Sequence, residues 1–159
     1  MNNDPLPPAS LPLEVIRQTL DDADIRYQDA GDLLMMVMAL RHVEVQVFCS
    51  GEPDDLASII VRLPVRATPD RIPAVAEFLH RLNWNARRKF WELDADSGEI
   101  RLSGYTDTIS GPLTGDLFQR LLDAILTTAD TSFPYLTSVM NGRMNPAFAA
   151  DQTEAALGS

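Results

Sequence analysis

The chain has 159 residues, with 13 Lys plus Arg against 23 Asp plus Glu, a formal net charge of −10 and one cysteine. The length suits a single domain with a sizeable core. The acidity argues against non-specific binding to nucleic acid or anionic membranes, and the lone Cys49 excludes an intramolecular disulfide and suits a reducing cytoplasm.

Residues 1–9, with Pro5, Pro7 and Pro8, read as a flexible segment. They lack the basic stretch followed by an apolar stretch that marks a signal peptide. Ser10 is placed to cap a first helix that carries Pro12 in its opening turn. Leu13, Ile16 and Leu20 recur at helical spacing, with Glu14, Arg17 and Asp21 turned away. Asp21-Asp22 followed by Ala23-Asp24 ends the helix, although acidic residues there oppose its dipole.

A strand-rich block follows. Residues 25–29 alternate weakly, and Asp29–Asp32 is a turn signal. Leu33–Leu40 is the longest apolar run, too short to span a bilayer and consistent with a strand covered on both faces. From Val43 to Cys49 the pattern has period two, with Val43, Val45, Val47 and Cys49 inward and Glu44, Gln46 and Phe48 outward. Residues 51–55 read as a turn, and 58–65 as another strand, with Pro64 marking its end or an edge.

Thr68 as cap and Pro69 as first residue open the second predicted helix, whose stripe is Ile72, Val75, Ala76, Leu79 and Leu82. "NWNA" stops it. The segment "FWELDADSGEIRLSGY" then crowds acidic residues around Gly98, which raises the question of a metal loop. A calcium loop counted from Asp94 has Gly98 at position 5, Glu99 at position 6 and Tyr105 at position 12, so its turn glycine is misplaced and its bidentate glutamate is absent. A hairpin fits instead. A loop of Ala95–Gly98 sets Leu93 against Ile100, Trp91 against Leu102 and Glu92 against Arg101. A third helix runs from about Thr114 with an apolar face of Leu117, Phe118, Leu121, Leu122, Ile125 and Leu126. Pro134 starts or kinks its last segment, which reaches about Met140. Residues 143–159 are low in large apolar groups and read as a second flexible segment, leaving one domain over 10–142.

Few residues suggest chemistry. Cys49 lies on the apolar side of its strand and reads as a small buried hydrophobe, not as a thiol served by His42 or His80. Two histidines without matching ligand spacing make no zinc site, and no phosphate loop, nucleophile elbow or HExxH occurs. These residues predict no cofactor, no metal and no catalytic set. Arg81, Arg87, Arg88 and Lys89 cluster beside Trp84 and Trp91 and are suited to an acidic partner segment. Met35, Met36 and Met38 are suited to packing or to an adaptable surface.

The expected fold is α+β, an antiparallel sheet of five to six strands with helices packed on it, in the order α-β-β-β(-β)-α-β-β-α. With that order, the chain resembles the YbjN family, bacterial proteins labelled sensory transduction regulators, over roughly residues 12–141. The resemblance rests on "RLPVRATPDRI", on "FLHRLNWNARRKFWELDADSGEIRLSGY" and on "LTGDLFQRLLDAILTTADTSFPYL". It implies a fold similar to type III secretion chaperones, often dimeric, acting by binding other proteins and without catalytic residues to carry over. The functional expectation is a non-enzymatic cytoplasmic interaction module, chaperone-like or regulatory, forming a homodimer and binding a protein partner through Phe48, Phe90, Trp84, Arg87 and Arg88. The alternative is a small-ligand sensor with its pocket between sheet and helices.

Overall fold

The computed structural model describes residues 11–51, 56–107 and 111–158. Ser10, residues 1–9 and most of the expected turn at 51–55 lie outside them. Helix α1 spans Pro12–Asp22, β1 Gln28–Asp29, β2 Leu33–Ala39, β3 Glu44–Gly51 and β4 Leu56–Arg66. After α2 (Ile72–Trp84) come β5 (Lys89–Leu93), β6 (Glu99–Asp107), α3 (Gly115–Met140) and α4 (Pro146–Leu157). The six strands form one sheet in the order β1-β2-β3-β4-β6-β5, every neighbouring pair antiparallel. The expected α+β architecture is therefore present, with one further helix at the end.

Period-two patterning puts Val45, Val47, Cys49, Ile59, Val61, Ile100 and Leu102 on one face of the sheet, all buried. Onto that face α1 packs at β3, α3 across β4 and β6, and α2 at β5. Phe78 of α2 and Phe118 of α3 are fully buried against it. Burial of each such side chain is worth about 1.5–3 kcal/mol. Helix α4 lies on α2 and α3.

The hairpin has the expected register, with Leu93 opposite Ile100, Glu92 opposite Arg101 and Trp91 opposite Leu102. Its acidic tip serves its own turn. Asp94 accepts hydrogen bonds from Ser97 Oγ (2.6 Å) and Asp96 N (3.0 Å). Gly98 takes φ +72°, and a Cβ there would meet the Ala67 carbonyl oxygen at 2.1 Å. The glycine thus serves both the turn and a close approach to the chain leading into α2.

Five expectations are corrected. Helix α2 begins at Ile72, because a start at Pro69 would place Pro73 where a helical N–H must donate; residues 68–71 form a turn closed by Arg71 N to Thr68 O (2.8 Å). Strand β2 is not covered on both faces, since Leu34 and Met36 are buried while Val37 is 61% exposed. Pro64 does not mark an edge: β4 lies between β3 and β6, and Pro64 sits in a register shift between Arg62 and Arg66, past the last pair with β3. Of the two readings of Pro134 a new helix start is excluded: α3 runs continuously through it and ends at Met140, as expected.

The fifth correction is α4, where a flexible segment was expected. Gly142 at φ +67° ends α3 in a Schellman turn, with Arg143 N donating to Ser138 O (2.8 Å) and Gly142 N to Val139 O (3.0 Å). Asn145 then caps α4 through Ala147 N (2.9 Å), with Pro146 in its first turn. The same turn ends α1: Asp24 takes φ 54°, Ile25 N donates to Leu20 O (2.9 Å), and Asp24 N to Asp21 O (3.0 Å). A short polar side chain tolerates that backbone.

Strand β5 is one edge of the sheet, and α2 closes it. Trp91 N–H donates to Asn83 Oδ1 (2.8 Å), and Asn83 Nδ2 donates to the Trp91 carbonyl (2.8 Å). Asn83→Leu strands both backbone groups at a half-buried edge and should cost about 2–4 kcal/mol in urea denaturation. That corresponds to a melting point lower by roughly 2–4 °C per kcal/mol for a chain of this size. Asn83→Asp keeps one acceptor and should recover part of the loss.

Candidate functional site

The outer face of the sheet carries the expected aromatics in one cross-strand row. Met35 faces Phe48, Phe48 faces Ile60, Ile60 faces Ser103, and Ser103 faces Phe90. Phe48 and Phe90 are three strand spacings apart, about 14 Å. They open onto different concavities. Phe48, with the Arg62 guanidinium 5.2 Å from its ring centroid, lines a hollow of about 370 Å³ with Tyr27, Met35 and Val37.

Phe90, 39% exposed, lines a cleft of about 590 Å³ with Arg87, Arg88, Tyr105 and Leu117. Neither arginine makes an ion pair or side-chain hydrogen bond among the described residues. Asp107 also lines this cleft. Tyr105 was missed in the sequence, but extending the hairpin register leads to it: Tyr105 N donates to the Arg88 carbonyl (3.2 Å). Trp84 stands apart at the end of α2, 78% exposed and edge-on to His80 at 6.4 Å. Of the five candidates, the structure therefore brings Arg87, Arg88 and Phe90 together and leaves Phe48 and Trp84 outside.

The basic cluster is divided. Arg81 pairs with Glu77 along α2 (2.9 Å), an ordinary exposed i,i+4 pair. Lys89 turns to the helix side of β5, where its ammonium donates to Thr128 Oγ1 (2.6 Å) and to the Ala124 carbonyl (3.3 Å). Burial pulls its pKa below the usual lysine value.

Cys49 is fully buried, and burial pushes its thiol up to about 12. His42 caps no thiol; its main-chain N–H donates to Asp130 Oδ1 (2.7 Å), tying the β2–β3 turn to α3. No group of three or more His, Cys, Asp or Glu among the described residues is arranged to hold a metal ion. No helix among them is long and apolar enough to cross a membrane.

These features define an α+β domain whose distinctive parts are surfaces: one helix-covered face, one open face, and an arginine–aromatic cleft at the sheet's margin beside the start of α3. The chain belongs to the YbjN family, described as "Putative bacterial sensory transduction regulator", whose match covers residues 12–138. The fold is similar to the crystal structure of E. coli YbjN, described as "a putative transcription regulator", with a TM-score of 0.51 and 15% sequence identity over 74% of this chain and 90% of that one. No curated protein matches the chain. The family match stops before α4.

Iodoacetamide at about pH 8 should leave Cys49 unmodified in the folded protein and label it once guanidinium unfolds the chain, read by mass spectrometry. Labelling at equal rates in both states would place the thiol outside the core.

Proposed function

We propose that the chain is a non-enzymatic interaction module, regulatory or chaperone-like, that seats an acidic, extended segment of a protein partner in the Arg87–Arg88–Phe90–Tyr105 cleft. The observation that supports this most directly is the pair of arginines without ion-pair partners among the described residues, set beside two aromatic rings. Elsewhere arginines such as Arg17 and Arg101 are engaged, with Asp29 and Glu92, each at 2.7 Å. A guanidinium without a partner offers a bidentate site for a carboxylate, and the rings supply apolar area at low entropic cost. The chain's acidity disfavours nucleic acid as the occupant. A regulatory role accords with the family description, and a cytoplasmic setting accords with the single unpaired cysteine.

The test uses a fluorescein-labelled peptide of alternating Glu and Phe, followed by anisotropy. Wild type should bind it in a salt-dependent manner, and Arg87→Glu with Arg88→Glu should weaken binding at least roughly tenfold. Phe48→Asp, outside the cleft, should leave binding unchanged. Equal affinity for wild type and the double variant, or no binding by wild type, overturns the reading.

The module acts as a homodimer in this reading, joined at β2. The support is the unequal treatment of the two sheet edges. Asn83 closes β5, whereas β1 covers only Leu34 and Met35 of β2. Ala30 N donates to the Leu33 carbonyl (2.9 Å), so the odd-numbered residues of β2 turn their main-chain groups to that side. Val37 and Ala39 then have no strand partner there among the described residues. A two-fold axis at Met38 pairs Val37 with Ala39 of a second copy, apolar against apolar, and gives both copies the same contacts. Sedimentation velocity should show a dimer for wild type and a monomer for Val37→Lys, a substitution natural to exposed edges. A monomeric wild type rejects this arrangement.

A further inference from the structure

A third concavity lies on the helix side of the sheet, separate from the hollow at Phe48 and the cleft at Phe90. It holds about 290 Å³ and is bounded by the end of α2, β5, β6, α3 and the last turn of α4. That is near the lower end of the range for small-ligand sites, about 300–1,000 Å³. Its apolar walls are Leu82, Trp91, Leu102 and Leu157, with Lys89 and Thr128 at its base.

Lys89 is the unusual member. Lys89 is half-buried, and a lysine on the core side of a strand gains from a carboxylate partner, because even partial desolvation of an uncompensated cation is unfavourable. Among the described residues the ammonium meets only neutral oxygens, those of Thr128 and Ala124. Thr128 in turn donates to the same Ala124 carbonyl (2.8 Å), so both groups are held in place. Lysine carries three N–H donors, and these contacts use two. Glu154 also lines the cavity, but its carboxylate is approached by Asn85 Nδ2 at 3.5 Å and makes no ion pair with Lys89 among the described residues. An inward lysine can also guard a sheet edge against pairing. That role explains the charge but not the cavity beside it, and Asn83 already occupies the edge groups of Trp91.

We propose that this cavity binds a small organic monocarboxylate, with its carboxylate on Lys89 and an apolar body of about the size of one aromatic ring against Trp91 and Leu102. The anion supplies the missing counter-charge and the walls supply the apolar contact. This site makes the sensor alternative concrete and stands independently of the acidic-segment reading, since the two concavities share no lining residue. Helix α4, beyond the family match, provides one wall of the site, and its other walls lie within that match.

Trp91 is the built-in reporter. In a Trp84→Phe background it is the only tryptophan of the two in the chain. Benzoate, phenylacetate and octanoate, each at millimolar concentration, are titrated against Trp91 emission and the melting temperature, with benzyl alcohol as the neutral control. At least one carboxylate should give saturable changes in both, the alcohol should give neither, and Lys89→Met should weaken binding at least roughly tenfold. Lys89→Arg should retain part of the affinity. If Lys89→Met fails to fold, the lysine Nζ resonance of the wild-type protein should move on adding the bound carboxylate. No response to any of the three acids, an equal response to the alcohol, undiminished binding in a folded Lys89→Met, or an unmoved Nζ resonance overturns the assignment. Arg87→Glu with Arg88→Glu should bind the acids as wild type does, which separates this outcome from that of the peptide experiment.

Discussion

The carboxamide of Asn83 makes both hydrogen bonds that a further strand would have made to Trp91. A side chain that offers one donor and one acceptor in a plane can stand in for a strand at a single residue. The consequences spread outward from that point. The end of α2 is fixed against β5, so Trp91 is held buried beneath it. The chain between them, residues 85–88, is short, and it brings Arg87 and Arg88 to the cleft with Phe90 while Lys89 turns to the covered side. The cleft and the inner cavity are thus two faces of one strand whose edge is sealed.

The sheet was legible where residue pattern and pairing chemistry agreed. At the hairpin, apolar residues and the Glu92–Arg101 pair selected the same register, and a slip by one would have turned every side chain over. The Leu33–Leu40 run was harder, because the outer face near β2 is itself apolar and hides the alternation that burial shows. Helix α4 was missed for a related reason. It buries Ala149, Ala150 and Thr153, which carry little apolar signal, although Asn145 before Pro146 was a helix-start signature in plain view. Asp24 shows the limit of residue preference: the sequence points to a poor helix end, and only the closed turn reveals why an aspartate is acceptable there.

The candidate site was legible in composition but not in arrangement. The arginines and Phe90 were adjacent in sequence and proved adjacent in space. Phe48 shares their sheet face and row, yet Ile60 and Ser103 lie between. Lys89 looked like one more member of a basic cluster, and only strand alternation separates it from Arg88. Thr128, its partner, is 39 residues away and nothing local announces it.

Helix α2 is held at its start as well as its end. The Arg71 guanidinium reaches the Val139 carbonyl at 2.5 Å, in the last turn of α3, where a cation also suits the helix dipole. With α2 anchored at one end to α3 and at the other to β5, it behaves as a strut. Helix α4 rests on it through three small side chains. The inner cavity is therefore walled on one side by a helix braced at both ends and on another by a helix that buries only small side chains.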